Sequence, residues 1–420
     1  MRMSRLRILI AGDYPRGINR GGVQAVVRAT AIALAAHEDL EIHVAAPSPR
    51  LNASRSRVDQ GVMVHEMRVP SLPASLRAAT FDMAAVKAVI ERIRPHLIHA
   101  HSQEGHALAA IRSGLPCVVS VHGLLQAQNR LLDGFPPIRI ARAALWRNVE
   151  RRVLAAAHDT IVMSRHVADA VERDSKAELH WVPNPIEPCW CGLEDNPEPG
   201  RVLFVGLITP RKDLETLIRA VPLLPDWATL RIAGAVDDAG YCDRLRSIAE
   251  ELGLRQKVSF TGRVSHDELL EEYRAADLFA LSSVEDSAPI AITQALAAGK
   301  PVVASDVGGI GDLVRDGEVG HLVPARDSAA FAQRIASLLG DRARRREFSL
   351  AGRRRGAEHS PDRVADRLRE VYAAVMVRQG IGLPLAQQRR ALRVLSRGSG
   401  RGDTTDTSLG ARAQPPAEVS

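Results

Sequence analysis

Short runs of apolar residues alternate along the chain with longer segments whose apolar positions recur at helical spacing. Ten runs rich in Val, Ile and Leu are predicted strands: LRILIAG, EIHVAAP, LIHAH, CVVSVHG and TIVMS, then RVLFVGL, LRIAGA, VSFTG, LFALSS and PVVAS. Continuous apolar runs indicate strands buried on both faces, which are typical of parallel sheets with helical crossovers. The pattern therefore predicts an α/β protein.

A proline-rich stretch separates the first five predicted strands from the second five. Proline cannot donate to a sheet ladder, so this stretch is interpreted as an interdomain linker. Apolar positions at helical spacing behind Ser360-Pro361 predict a closing helix. The predicted organisation is an N-terminal domain at 1–183, a linker at 184–200, a C-terminal domain at 201–360, a crossover helix at 361–380 and a basic tail at 381–420. Two doubly wound, Rossmann-like domains would face each other across a cleft, with ligands at the carboxyl ends of the strands.

Length and composition agree with two domains. A chain of 420 residues that is 45% apolar is too long for one ordinary core and apolar enough for two. Aromatic residues make up only 4%, which argues against a surface that stacks on single-stranded nucleic acid. The formal charge is +7, but residues 381–420 hold six Arg against two Asp and one Glu, so +3 belongs to the tail. Apolar residues are scarce beyond residue 395, and we predict that this part is disordered.

Four cysteines are too few for a disulfide framework, and Cys189 and Cys191 lie in the proline-rich stretch without a matching partner pair. This usage indicates a reducing cytosol. The N-terminal MRMSRLRILIAG is read as a first strand rather than a signal segment. No run approaches the roughly 20 apolar residues that cross a bilayer. The segment RIARAALWRNVERRVL carries five Arg, so it is either a solvated face or a surface for anionic lipid headgroups.

Two segments have the pattern of a strand, a turn and a helix start that could hold an anion. In RGINRGGVQAVV, Gly21 and Gly22 let backbone amides approach a phosphate, although a tight turn explains them equally well. This segment lacks the G-x-G-x-x-G fingerprint and an acidic ribose-binding residue, which argues against a dehydrogenase.

The second segment is EDSAPIAITQALAAGKPVVASDVGGIGDLV. Pro289 is predicted in the first helical turn, which leaves the amides of Ile290 and Ala291 free for a diphosphate. Glu285 and Asp286 stand just before this start, where a carboxylate either caps the helix or takes part in chemistry.

In LIHAH, His99 and His101 fall on one face of a strand, a spacing that could serve a metal. No third ligand is evident, so the sequence predicts no metal site.

The second segment resembles the signature of group 1 glycosyltransferases of family 4, which are retaining enzymes of the GT-B fold. That signature has two glutamates separated by seven residues, and Asp286 and Gln294 stand at their places. The resemblance implies that Asp286, aided by Glu285, approaches a hydroxyl of the donor hexose. It also implies that Gln294, which is neutral but still bonds to hydroxyls, holds the ribose.

Further pieces resemble the same family in the same order. In FVGLITPRKDLETLIRA, the family has cations just after Gly206 and on the turn. Lys212 is retained, whereas Leu207 replaces an Arg, so Arg211 would have to supply the second charge on the diphosphate.

Two other motifs carry the resemblance. VHG at 121–123 is similar to the strand end that places a His near the donor sugar and phosphate, which implies that role for His122. A buried His bonded to backbone is the alternative. In VSFTGRV, the backbone of Arg263 and Val264 would hold the nucleotide base. Asp312 matches an acidic position after the glycine loop, although a helix N-cap explains it as well.

The resemblance implies a metal-independent, retaining glycosyltransferase that needs no cofactor. It would move a hexose from a nucleotide-diphosphate sugar to a polysaccharide, lipid-linked or other glycan acceptor, with the departing phosphate accepting the acceptor's proton. Nucleic acid is not an expected partner. The expected location is the cytoplasm, with peripheral contact at the inner face of the plasma membrane. Two alternatives stay open: a non-catalytic nucleotide-sugar or glycan-binding subunit, favoured by Leu207, Asp286 and Gln294, and a sugar-nucleotide epimerase.

Overall fold

The computed structural model describes residues 5–15, 21–124 and 136–382. The predicted disorder beyond residue 395 lies outside these residues. The strands, numbered in chain order, are β1 Leu6–Ala11, β2 Leu40–Ser48, β3 Arg55–Asp59, β4 Val62–Arg68, β5 Leu97–His101, β6 Cys117–Ser120, β7 Asp159–Val162, β8 Glu178–Trp181, β9 Arg201–Val205, β10 Thr229–Ala233, β11 Val258–Gly262, β12 Leu278–Leu281, β13 Val302–Ser305 and β14 Gly320–Val323.

The helices are α1 Gly22–Ala35, α2 Ala74–Arg77, α3 Met83–Ile93, α4 Gly105–Arg112, α5 Pro136–Ala156, α6 Arg165–Asp174, α7 Leu214–Ala220, α8 Ala239–Glu251, α9 His266–Ala275, α10 Ile290–Ala297, α11 Ile310–Leu313, α12 Ser328–Gly340, α13 Arg342–Gly356 and α14 Pro361–Arg378. Short turns of 3-10 or π helix lie at Ala78–Asp82, Pro188–Trp190, Pro210–Lys212, Val221–Leu223 and Ala357–His359.

Two separate sheets organise the chain. The first has the strand order β3-β4-β2-β1-β5-β6-β7-β8 and the second has the order β11-β10-β9-β12-β13-β14. Strands pair in parallel throughout, except that β3 runs antiparallel to β4. In each sheet the direction in which successive strands are added reverses next to the first strand. This switch point lies between β1 and β5 in the first sheet and between β9 and β12 in the second. Ligands of doubly wound sheets bind at this switch point, outside the carboxyl ends of the strands.

All ten predicted strands are present, but the expectation of five strands in each domain was wrong. The first sheet has eight strands and the second has six. The additional strands are β3, β4, β8 and β14. Strand β3, with the sequence RSRVD, lies at an edge with mostly exposed side chains. It therefore lacks the apolar run that marks a strand buried on both faces.

Helix α14 returns from the second domain and packs on the first. Its apolar face joins Ile8, Ile10 and Val44 in one buried cluster, to which it contributes Val364, Leu368, Val371 and Val375. Burying each Val or Leu side chain stabilises a fold by about 1.5–3 kcal/mol, so this face fixes the helix firmly. The chain also crosses between the domains near residue 186, where the Ile186 amide donates to the His359 carbonyl at 3.0 Å. Two Rossmann-like domains with a C-terminal crossover helix confirm the predicted fold.

Within the described parts of the chain, no helix combines the length and the apolar character needed to cross a bilayer.

Candidate active site

Lys212 and Asp286 form a buried ion pair at the switch point of the second sheet. Lys212 lies on the turn after β9, and Asp286 lies in the loop after β12. Lys212 Nζ is 2.5 Å from Asp286 Oδ2, and the Ser283 hydroxyl donates to the same oxygen at 3.2 Å. Both charged side chains are about one-tenth exposed. The pair therefore holds two distant segments together in a place where water screens the charges poorly.

Arg211 brings a second cation to this cluster. Its Nη1 atom donates to the Glu285 carbonyl at 2.9 Å and lies 3.4 Å from Asp286 Oδ1. A Cβ atom on Gly206 would lie 3.1 Å from the Phe204 ring and 3.6 Å from Lys212 Cε, so the close packing at this glycine is against Phe204. The sequence predicted that Arg211 must supply the charge missing at Leu207, and the guanidinium does lie beside the two carboxylates.

The two adjacent carboxylates differ in their surroundings. Burial raises the pKa of Asp286, but the Lys212 and Arg211 charges outweigh it and hold that pKa below its usual range. Burial raises the pKa of Glu285, and the Arg211 charge offsets only part of that shift. Neither carboxylate oxygen of Glu285 accepts a hydrogen bond from the described residues. Asp286 is thus fixed by the protein, whereas Glu285 keeps its hydrogen-bonding capacity for another group.

A glycine loop supports the backbone of Asp286. The Gly309 amide donates to the Asp286 carbonyl at 2.9 Å. A Cβ atom on Gly308 would overlap that carbonyl, and Gly308 has a φ of +55°, so glycine is needed there for both reasons. Ser283, Gly308 and Gly309 were not predicted as site residues from the sequence. The Ser-Ser at the end of LFALSS and the Gly-Gly after PVVAS were the available signals.

Helix α10 starts without a carboxylate cap. It begins at Ile290, and Pro289 is its N-cap residue rather than its first helical residue, with no side-chain hydrogen bond at the cap. The capping interpretation of Glu285 and Asp286 is therefore wrong, because their carboxylates point to Lys212 and Arg211. The first amides of a helix have no partner within it, so those of Ile290 and Ala291 remain the expected anion donors.

Gln294 lies one turn further along α10, beside a buried tyrosine. The Tyr273 hydroxyl lies 3.5 Å from Gln294 Oε1 and donates to the Ala291 carbonyl at 3.0 Å. Gln294 itself is half-buried. The amide oxygen of Gln294 therefore lies beside a protein group, and the amide can still make hydrogen bonds to a ligand.

The two predicted anion-binding helix starts meet across the cleft. Gly21 is the N-cap residue of α1, and a Cβ atom on Gly22 would lie 3.5 Å from Ile290 Cγ2. The domains also touch through Asp312, whose carboxylate accepts the Arg165 amide at 2.5 Å. The N-cap residue of α11 is Gly309, so Asp312 does not cap its own helix; it bonds the start of α6 in the opposite domain.

His122 lies at the end of β6 within a group of histidines. Its Nε2 atom is 2.8 Å from His101 Nδ1, and it also bonds the Asn184 side chain. The contact with His101 is a side-chain contact, and the role of His122 near the donor stays a prediction. His99 has both ring nitrogens engaged, by the Tyr372 hydroxyl at 2.6 Å and the Ser120 hydroxyl at 2.7 Å. His99 is therefore not available as a metal ligand.

Arg263 and Val264 follow β11, on the same edge of the second sheet as the cluster. Arg263 is exposed and Val264 is half-buried. Strand β11 is two positions from β9, which corresponds to about 10 Å across the sheet. No hydrogen bond or ion pair in the described chain joins either residue to Lys212 or Asp286, so their predicted contact with the base stays a prediction.

The buried histidines predict acid sensitivity. Burial lowers the pKa of His99 to about 3 and that of His122 and His359 to about 4. Unfolded histidines titrate near pH 6.5, so below that pH the unfolded chain binds protons that the native chain does not. The free energy of unfolding should therefore fall as the pH drops from about 6.5 toward 4.

Denaturant titrations at several pH values measure this slope. His99→Gln should reduce the slope by about 1.4 kcal/mol per pH unit, the contribution of one proton. His158→Gln, the same substitution at an exposed position, is the matched control. An unaltered slope in His99→Gln would contradict the prediction.

The fold is that of the GT-B class. The family described as glycosyl transferases group 1 matches residues 193–355, and glycosyltransferase family 4 matches residues 20–189. A D-inositol 3-phosphate glycosyltransferase of Mycobacterium sp. (strain KMS) is 33% identical over 287 residues, covering 64% of each chain. The chain thus matches a little under two thirds of that relative's length. The protein of the same name from Mycolicibacterium vanbaalenii is 31% identical over 352 residues, covering 76% of this chain and 78% of the relative. The chain belongs to the group 1 glycosyltransferases of family 4.

Solved structures agree on the fold. Sucrose-phosphate synthase from Thermosynechococcus elongatus superposes with a TM-score of 0.75 at 22% identity, covering 89% of this chain and all of that one. Anabaena HepE in complex with UDP-glucose superposes with a TM-score of 0.69 at 19% identity, covering 88% of this chain and all of that one.

Proposed function

We propose that this protein is a glycosyltransferase that moves a hexose from a nucleotide-diphosphate sugar to a hydroxyl of a glycan or lipid-linked acceptor, with retention at the anomeric carbon. The observation that carries the proposal is the cluster of Lys212, Arg211, Asp286 and Glu285 at the switch point of the second sheet. Two cations and the start of α10 lie where the diphosphate of a donor would develop charge as the sugar leaves.

In the proposed mechanism the protein supplies charge and position rather than a general base. A bound diphosphate competes with Asp286 for the Lys212 ammonium, so the lysine would pass from one anion to the other. Glu285, whose carboxylate oxygens accept no hydrogen bond from the described residues, would accept a hydrogen bond from a hexose hydroxyl. The departing phosphate takes the proton of the acceptor hydroxyl on the same face of the sugar, so the product retains its anomeric configuration. Such fixed electrostatics can supply several kcal/mol of transition-state stabilisation.

The named relatives suggest where a search for substrates should start. The Mycobacterium protein is a D-inositol 3-phosphate glycosyltransferase, and the Anabaena structure holds UDP-glucose. We therefore put UDP-sugars first among donors, and inositol phosphates beside polysaccharide and lipid-linked glycans among acceptors.

The experiment that tests the proposal has two stages. Nucleotide sugars are first screened for thermal stabilisation of the purified chain, since a ligand that binds only the native state raises the melting temperature. Each stabilising donor is then incubated with acceptors while nucleoside-diphosphate release and the product anomer are followed. Donor binding without release for any acceptor would indicate a non-catalytic subunit, and epimerised donor without acceptor would indicate an epimerase.

Turnover should survive chelation of divalent cations. In the proposed site, Lys212, Arg211 and helix amides take the place of a metal at the diphosphate. Transfer rates in EDTA should therefore stay within about twofold of the untreated rate. Loss of a catalytic metal would remove several kcal/mol of transition-state stabilisation and lower the rate far more than that. Complete loss of activity that added Mg²⁺ or Mn²⁺ restores would contradict this prediction.

We also propose that helix α5 places the protein at the inner face of the plasma membrane. Trp146, Val149 and Val153 of this helix are buried, whereas Arg147, Arg151 and Arg152 are exposed. Exposed cations near an anionic surface contribute about 1 kcal/mol each. Sedimentation with phosphatidylglycerol vesicles should fall when all three arginines are changed to glutamine, and equal sedimentation of both proteins would overturn the proposal.

A further inference from the structure

The proline-rich linker forms a turn that is fixed at one point and exposed on both sides of it. Trp190 is fully buried, with its ring 5.0 Å from that of Tyr273 in an edge contact. Cys189 and Cys191 flank this anchor, and both are exposed and free. The buried tryptophan sets the direction of the turn, so the neighbouring side chains have a defined position.

The start of α9 faces this turn. Ser265 and Glu268 form a reciprocal capping box, which fixes the backbone at the first helical residue, His266. His266 Nε2 lies 3.5 Å from Cys189 Sγ, and His266 Nδ1 lies 3.6 Å from Glu187 Oε2. Within the described residues, ligand atoms of Glu187, Cys189 and His266 all lie within 4.8 Å of one another. The structure thus supplies for Cys189 the partners that the sequence did not reveal.

We propose that Glu187, Cys189 and His266 form a zinc site that binds the linker to the second domain. A tetrahedral zinc ion with a Zn–S bond of about 2.3 Å and a Zn–N bond of about 2.0 Å separates sulfur from nitrogen by about 3.5 Å. The measured distance between Sγ and Nε2 has this value. The Glu187 carboxylate lies by the other ring nitrogen, Nδ1. Rotation of the exposed Cys189 and His266 side chains would bring Sγ, Nε2 and the carboxylate around one ion, and water would complete the tetrahedron.

The ligand types select the metal. A thiolate, an imidazole and a carboxylate suit Zn²⁺, whereas Mg²⁺ and Ca²⁺ prefer oxygen ligands alone. Arg28 of helix α1 donates from Nη1 to the other oxygen of Glu187 at 3.0 Å. A partner that holds a ligating carboxylate in this way orients it for the metal. Through Arg28 the site is also linked to the helix whose start forms the opposite wall of the cleft.

Cobalt and zinc titrations of the full chain test the site directly. Metal-free protein should bind one Co²⁺ ion with a thiolate-to-cobalt charge-transfer band and the visible bands of a tetrahedral ion, and Zn²⁺ should displace it. Cys189→Ser should abolish the charge-transfer band and weaken Zn²⁺ binding by at least about tenfold. Cys117→Ser, at a thiol on strand β6 in the first domain, should leave both unchanged.

Thermal unfolding gives a second readout that does not depend on catalysis. Zn²⁺ should raise the melting temperature of the wild-type chain but not that of Cys189→Ser or His266→Gln. Circular dichroism checks that these substitutions at exposed positions leave the fold intact. Absence of a thiolate band in the wild-type chain, or equal zinc affinity in Cys189→Ser, would overturn the proposal. The proposed ion lies on the linker turn rather than on the Lys212–Asp286 pair. Its removal should therefore lower the melting temperature, while sugar transfer should still need no added Mg²⁺ or Mn²⁺.

Discussion

Replacing Lys212 with alanine should lower the rate of sugar transfer by at least about a hundredfold, the effect of removing one fixed charge or donor from a developing anion. The lysine is buried on the turn after β9 and held beside Asp286 by a 2.5 Å contact, so its ammonium is already desolvated and positioned. Burial lowers the pKa of this ammonium, and the Asp286 charge offsets part of the shift. An ammonium in such surroundings gains more from an arriving diphosphate than an exposed lysine does.

The measurement is nucleoside-diphosphate release at saturating donor and acceptor, with donor binding followed separately by calorimetry. Loss of one partner from a buried ion pair costs about 3–5 kcal/mol of stability, so folding must be checked by circular dichroism and thermal melting. Lys212→Met keeps the apolar stem and should show the same loss of rate. Lys257→Ala, which breaks a surface pair with Asp226, should transfer sugar at the wild-type rate. Undiminished turnover in a folded Lys212 variant would end the assignment.

Much of the fold was predictable from the chain because buried parallel strands have a strong local signature. Continuous Val, Ile and Leu runs located ten strands, and their two sets indicated two doubly wound sheets. Strand β3 was not predictable in this way, since it is an edge strand stabilised by antiparallel pairing with β4. Its Arg and Asp side chains reflect an exposed edge, where burial does not constrain the residue type.

The site was only partly predictable, because its contacts join segments that are distant in sequence. Lys212 and Asp286 are 74 residues apart, and only the strand order places β9 beside β12. The local pattern left capping open for the two carboxylates, but the buried Lys212 and the half-buried Arg211 provide a stronger partner than helix amides do. Asp312 is a similar case, since its partner at Arg165 lies in the other domain. The resemblance pointed to Lys212, Asp286 and Asp312, and tertiary structure decided which groups they contact.

Substitutions at the two altered signature positions, Gln294 and Asp286, should affect donor binding and turnover differently. Gln294→Glu should be tolerated, because Glu has the same reach and its carboxylate oxygens accept hydrogen bonds as the amide oxygen does. The Tyr273 hydroxyl beside this oxygen already donates to the Ala291 carbonyl. Burial keeps the pKa of Tyr273 well above its usual range, so this hydroxyl stays protonated. Gln294→Leu should instead weaken donor binding by roughly 1–3 kcal/mol, the cost of leaving buried polar partners unpaired. Gln256→Leu, at an exposed position, is the matched control and should not change donor affinity.

Asp286→Asn should reduce turnover by about ten- to a hundredfold, corresponding to about 1.5–3 kcal/mol for hydrogen bonds to a charged group, while donor affinity changes less. The substitution keeps the shape of the side chain and its contact with Ser283, but it removes the negative charge that positions Lys212 and Arg211. Those cations matter most when the phosphate gains charge, so the loss should appear in the rate rather than in the ground-state complex. Calorimetric donor titration beside nucleoside-diphosphate release distinguishes the two effects, and Asp243→Asn at an exposed position should leave both unchanged. If folded Asp286→Asn and Gln294→Leu proteins both bind donor and turn over like the wild type, the loop after β12 has only a structural role and the proposed transfer site must be withdrawn.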